Sequence, residues 1–134
     1  MKLTTESISF INLFEKITKA RVKDCIINEG KLIFIVNSED MSKAIGKQGI
    51  NVKRAKNLMK KDIQIVAFNE NINDFVSNLI YPNKAEVKLE NKIITLSIED
   101  NSTKGKILGR NRDNLKRILS ILQRYFDVEE IKIA

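Results

Sequence analysis

Gly46-Lys47-Gln48-Gly49 is the segment of this 134-residue chain whose residue types and spacing best support chemistry. Glycine allows close backbone approach and dihedrals that other residues resist. The first N–H groups of a helix have no partner within it and carry partial positive charge. A helix starting after such a turn therefore offers a place for a phosphate, and Lys47 adds a full charge beside it. A G-x-x-G alone is a common turn. The G-x-x-x-x-G-K-[ST] spacing of a P-loop is absent, and no strand leads directly into the turn as a dinucleotide fingerprint requires.

The charge around the turn sharpens the reading. Lys43, Lys47, Lys53, Arg54, Lys56, Lys60 and Lys61 are seven basic residues in a stretch without an acid. Shifting the chain by 63 positions lays Lys43 to Arg54 on Lys106 to Arg117, with five identities: Lys43 with Lys106, Gly46 with Gly109, Asn51 with Asn114, Lys53 with Lys116 and Arg54 with Arg117. Lys104, Lys106, Arg110, Arg112, Lys116, Arg117 and Arg124 again make seven bases, against the single acid Asp113. One charge run is ordinarily a solvated helix face. Two runs spanning the same turn of a repeat point to a polyanion, and nucleic acid is the leading candidate.

Composition narrows the classes further. The net charge is +7 and the isoelectric point about 9.5. There is no histidine and one cysteine. The commonest general base and metal ligand are thus missing, no zinc site can be built, and no carboxylate pair stands out. The chain reads as non-enzymatic, with no metal and no cofactor. No apolar run reaches 18 residues, and Met1-Lys2-Leu3-Thr4-Thr5-Glu6 lacks the features of a signal peptide. A lone Cys25 suits a reducing compartment, so a cytoplasmic location, no membrane and a monomer are expected.

These loops must be held by the elements around them. Phe10, Leu13, Phe14 and Ile17 recur at helical spacing, predicting a helix over 5–19. Val22 to Asn28 and Lys31 to Val36 read as strands around a Glu29-Gly30 turn. Ser38 or Asp40 is placed to cap a short helix running into Gly46. A second helix from near Ile50 to near Lys60 should turn Val52, Ala55, Leu58 and Met59 inward, and Asp62 to Phe68 is a third strand. The order then repeats. Ile72, Phe75, Val76 and Leu79 stripe a helix that Tyr81-Pro82-Asn83 ends. Ala85 to Leu89 and Ile93 to Ile98 flank a Glu90-Asn91 turn. Thr103 to Leu108 forms a helix capped by Ser102. Leu115, Ile118, Leu119, Leu122 and Phe126 stripe a long helix, and Val128 to Ile133 closes the unit. The prediction is an α+β protein of two domains, 1–68 and 69–134, each a three-stranded sheet packed on one side by helices. The linker is too short and too poor in Gly and Ser to be floppy, so the two modules are expected to dock rigidly. Leu32-Ile33-Phe34-Ile35-Val36 predicts a strand covered on both faces, whereas Thr95 and Ser97 between Ile94, Leu96 and Ile98 predict one wet face.

Ala44-Ile45-Gly46-Lys47-Gln48-Gly49-Ile50-Asn51-Val52-Lys53-Arg54-Ala55 resembles the signature of a KH domain. A helix ahead of the first two strands resembles the type II, or prokaryotic, KH arrangement. The tandem pair is similar to the archaeal NusA-like transcription termination and antitermination factors. Bacterial members carry further domains for which this length leaves no room. The resemblance implies that the first loop clamps single-stranded RNA by its backbone, with RNA polymerase or the elongation complex as a further partner.

The residues so implicated are Ile45, Gly46, Lys47, Gln48, Gly49, Ile50, Lys53 and Arg54, and in the second module Gly109, Arg110, Asn111, Arg112, Lys116 and Arg117. Ile45 and Ile50 have two readings: an apolar floor for bases, or plain core. The second loop has lost its closing glycine to Arg112, which either obstructs the sugar-phosphate backbone or contacts it with its own guanidinium. Tyr81 and Tyr125 are placed to stack on bases or simply to pack. Residues 1–68 carry 13 bases against 7 acids, and residues 69–134 carry 11 against 10, so the first module should supply most of the affinity. Alternative functions are a ribosome-associated or RNA-processing KH protein, or a protein-interaction module with little RNA affinity.

Overall fold

A computed structural model describes residues 4–28 and 30–134. The chain divides into two compact units, Met1–Asn69 and Glu70–Ala134. The first contains α1 (Thr5–Thr18), β1 (Val22–Asn28), β2 (Lys31–Asn37), α2 (Met41–Ile45), α3 (Ile50–Met59) and β3 (Asp62–Phe68). The second contains α4 (Ile72–Ile80), β4 (Glu86–Glu90), β5 (Ile93–Ser97), α5 (Asn101–Leu108), α6 (Asp113–Gln123) and β6 (Glu130–Ile133). In each unit the first two strands pair antiparallel, and the third pairs parallel to the second, which is therefore central. The fold is α+β, two three-stranded sheets packed by helices. Glu29 and residues 1–3 lie outside the described residues, so neither the predicted Glu29-Gly30 turn nor the start of the chain is characterised.

Alternation along the strands explains the packing. Leu32, Phe34 and Val36 project to one face of β2 and join Cys25 and Ile63 in a core closed by Ile11 and Phe14 of α1, Ala44 of α2, and Ala55 and Met59 of α3. Phe14 stacks on Phe34 with ring centroids 4.2 Å apart. Ile33 and Ile35, on the other face, are buried as well, so β2 is apolar because both its faces leave water. In the second unit only one face of β5 is dry: Ile94 and Leu96 are fully buried, Thr95 is half-buried and Ser97 exposed. Phe75 is fully buried there, with Tyr125 edge-on at 6.1 Å and Phe126 at 6.0 Å.

Several local expectations are corrected. Leu58 is 59% exposed, because α3 buries only Ala55 and Met59 completely. In α6 it is Ile121 that is buried, beside Leu115, Ile118 and Leu122, while Leu119 is half-buried and Phe126 lies beyond the helix. The second hairpin turns at Asn91 and Lys92, both with positive φ, one residue later than expected. Asp100, not Ser102, caps α5, accepting from the Thr103 N–H at 2.9 Å. Neither Ser38 nor Asp40 caps α2. The Asp40 carboxylate instead accepts from the Arg21 N–H at 3.4 Å.

Candidate nucleic-acid interface

The first loop has an exacting backbone. Gly46 sits at φ 77, ψ 168, a region reached essentially by glycine alone. Gln48 (φ 54, ψ 28) and Gly49 (φ 75, ψ 16) are left-handed, and α3 starts at the next residue. The turn is closed internally by the Gly49 N–H donating to the Gly46 carbonyl at 3.1 Å and the Gly46 N–H donating to the Ser42 carbonyl at 2.8 Å.

The second loop has the same shape. Gly109 is at φ 75, ψ 175, Asn111 at φ 55, ψ 28 and Arg112 at φ 64, ψ 16. Arg112 thus takes the left-handed conformation of the glycine it replaces, at a cost of about 1 kcal/mol. Its β-carbon does not distort the turn.

The starts of the helices differ in how they are capped. Thr4 caps α1, Asn71 caps α4 and Asp100 caps α5, each through a side-chain oxygen. No side chain caps α2, α3 or α6, and the last two open from the loops. Their leading N–H groups lie beside exposed Lys47 and Gln48 in one unit and exposed Arg110, Asn111 and Arg112 in the other. An anion is the natural partner for such an end.

The apolar flanks differ. Ile45 is 38% and Ile50 51% exposed, so neither is core, and both stand beside the first loop. Their counterparts are half-buried Leu108 and exposed Asp113. The second loop therefore has less apolar surface, and an acid at the start of its helix. Lys53, Arg54 and Lys116 are exposed or half-exposed cations on the helices that follow. Arg117 is more withdrawn: its guanidinium donates to the Asn114 Oδ1, and burial holds its pKa below the ordinary arginine value. Tyr81 is 75% exposed, whereas Tyr125 packs on Phe75.

Beside the second loop runs a groove of about 350 Å³ between the α5–loop–α6 segment and the edge strand β6. Arg112, Lys104 and Lys132 line it together with Leu108, Ile131 and Ile133, and Glu130 is its one acid. Nothing in the spacing of Lys132 or Ile133 in the chain marks them, because β6 approaches the loop only through the fold. A larger depression of about 740 Å³ lies at the opposite, N-terminal end of α5, with Glu86, Glu99 and Asp100 against Lys84. Its carboxylates suit no polyanion. Among the described residues no cluster of His, Cys, Asp or Glu could hold a metal ion, and no helix is long and apolar enough to cross a membrane.

A glycine turn between two helices, stacked on a three-stranded sheet with a parallel pair and occurring twice, defines a tandem KH protein. A model of the NusA-like second KH domain matches residues 11–71, which include the first loop and its supporting elements. Probable transcription termination protein NusA of Methanocaldococcus jannaschii is 34% identical across 99% of this chain and 75% of its own length. The protein of the same name from Methanococcus vannielii is 33% identical across the whole chain and 80% of its own length. The crystal structure of APE1850 superposes with a TM-score of 0.75 at 28% identity, covering 98% of this chain and 100% of that one. The chain belongs to the archaeal NusA-like family of KH proteins.

Proposed function

We propose that this protein binds single-stranded RNA through its two loops and acts, as the names of its relatives imply, in transcription termination or antitermination. The observation that carries the reading is the pair of uncapped helix N-termini, each opening from a left-handed turn among exposed cations. In the first unit Ile45 and Ile50 add exposed apolar surface for unstacked bases, while Gly46, Lys47, Gln48 and Gly49 grip the backbone and Lys53 and Arg54 follow it. In the second, Gly109, Arg110, Asn111 and Arg112 grip, and Lys116 adds charge. No step of chemistry is assigned to any side chain. The partners are single-stranded RNA and the elongating polymerase, met by a monomer.

Titration with a single-stranded RNA of about ten nucleotides at two salt concentrations, beside a duplex of the same sequence, tests the reading. Tight single-strand binding that weakens with salt supports it. Equal affinity for the duplex, or none for either, would instead favour a KH fold kept for protein contacts. Capture of RNA polymerase from extract with and without ribonuclease tests the second partner.

A further inference from the structure

We propose that Asn51 and Asn114 are the positioning residues of the two loops, each bracing the helix before its loop to the helix after it, a role that rests on the RNA-binding reading above. The Asn51 Nδ2 donates to the Lys43 carbonyl at 2.7 Å. That carbonyl lies in the last turn of α2, where acceptors lack partners within the helix. Asn51 itself is the second residue of α3, so the bond crosses the base of the loop. In the second unit the Asn114 Nδ2 donates to the Ile107 carbonyl at 2.8 Å, across the base of the second loop. There the Arg117 guanidinium also donates to the amide oxygen, fixing which way the amide faces.

The brace gives the two glycines of the motif different tasks. A β-carbon on Gly46 would lie 2.8 Å from Asn51 Cγ and 2.9 Å from its backbone nitrogen, and one on Gly109 would lie 2.7 Å from Asn114 Cβ. The first glycine is therefore held by the asparagine as well as by its own dihedrals. A β-carbon on Gly49 meets nothing within 4 Å, and its dihedrals are ones that Arg112 adopts in the other unit. The repeat agrees: the first glycine and the asparagine recur at both loops, and only the second glycine has changed. Gly46 is held by the asparagine brace, whereas no neighbour excludes a side chain at Gly49.

The test is Asn51→Ala, which removes the donor without changing charge. Loss of the hydrogen bond at the base of the loop should weaken RNA binding about tenfold. The slope of log affinity against log salt should not move, because every cation remains. Amide exchange at Gly46, Gly49 and Ile50, whose N–H groups are bonded at the loop, should quicken by a similar factor while exchange in β2 stays unchanged. A merely stabilising residue would speed exchange throughout the unit and leave the affinity of the folded fraction intact. Two further variants separate the glycines: Gly46→Ala should quicken loop exchange, and Gly49→Arg should leave it protected. Wild-type binding with no change in loop exchange or affinity for Asn51→Ala would overturn the brace and leave the RNA reading standing. Equal exchange in the two glycine variants would overturn the division between them. If the wild-type protein fails to bind RNA, the functional reading falls, and the exchange data alone decide the brace.

Discussion

Replacing Lys47 and Gln48 together by aspartate changes the charge of the first loop by three units without disturbing its shape. Gln48 is left-handed at φ 54, ψ 28, a conformation that Asp accepts more readily than most residues. Neither side chain is buried, so the folded state loses little packing. A phosphate about 5 Å from the loop interacts with each unit charge by about 0.8 kcal/mol in water, so three units amount to about 2.5 kcal/mol. At low salt that is about a 70-fold loss of affinity. At physiological ionic strength the screening length of about 8 Å roughly halves the energy, and the loss falls to about tenfold. Fluorescence anisotropy with a labelled single-stranded RNA, at low and physiological salt, measures both values, with circular dichroism to verify folding. The matched change, Arg110 and Asn111 to aspartate, alters charge equally on a loop of the same backbone. It should cost less, because Asp113 already stands where Ile50 does and residues 69–134 carry only one net positive charge. Equal losses would mean that Arg112 makes good its missing glycine as a phosphate contact. A larger loss from the second pair would refute the assignment of the main site to the first unit.

Three further outcomes follow from the same structure. If four to six phosphates are neutralised, log affinity should fall against log salt with a slope of about −3 to −4 in a salt titration; a flat response would remove the lysines from the interface. Phe14→Ala should destabilise the protein by about 3–5 kcal/mol in urea denaturation, because Phe14 is fully buried and stacked on Phe34. The Asp100 carboxyl is held below its ordinary pKa, first by the hydrogen bond from the Thr103 hydroxyl and then by the Thr103 N–H, so its contribution to α5 is present above the unfolded value and lost as pH falls through the folded one. The protection of the Thr103 amide, its exchange rate relative to the intrinsic rate at the same pH, should therefore fall on acidification below that range, and Asp100→Ala should remove that fall.

Much of this architecture is legible in the amino-acid sequence. The repeat at Gly46 and Gly109 stands out because few residues reach their backbone conformation, and the helical stripe of Phe10, Leu13, Phe14 and Ile17 reports the face of α1 that packs on the core, with only Leu13 left exposed. What the sequence does not disclose depends on contacts across the fold. Leu58 continues the apolar period of α3, but the helix is short and only Ala55 and Met59 reach the core. Ser102 and Asp100 are both competent caps, and only the geometry of the turn selects the aspartate. Asn51 and Asn114 are visible as a repeated pair, yet their partners, the carbonyls of Lys43 and Ile107, are backbone groups that no side-chain pattern reveals. The exposure of Ile45 and Ile50 removes the core reading for both, a distinction their apolar character alone cannot draw.

The absence of a capping side chain at α3 and α6 has a cost in the free protein. The Ile50 and Asp113 N–H groups bond back to the Lys47 and Arg110 carbonyls, but no side-chain acceptor caps either helix, so both starts should fray more easily than the capped starts of α1, α4 and α5. A bound phosphate supplies that acceptor from outside the chain. The ligand then completes the helix as well as occupying the loop, so part of its binding free energy appears as local folding. RNA should therefore protect the opening amides of α3 from exchange and raise the thermal midpoint as its concentration rises, most of all for whichever loop grips it.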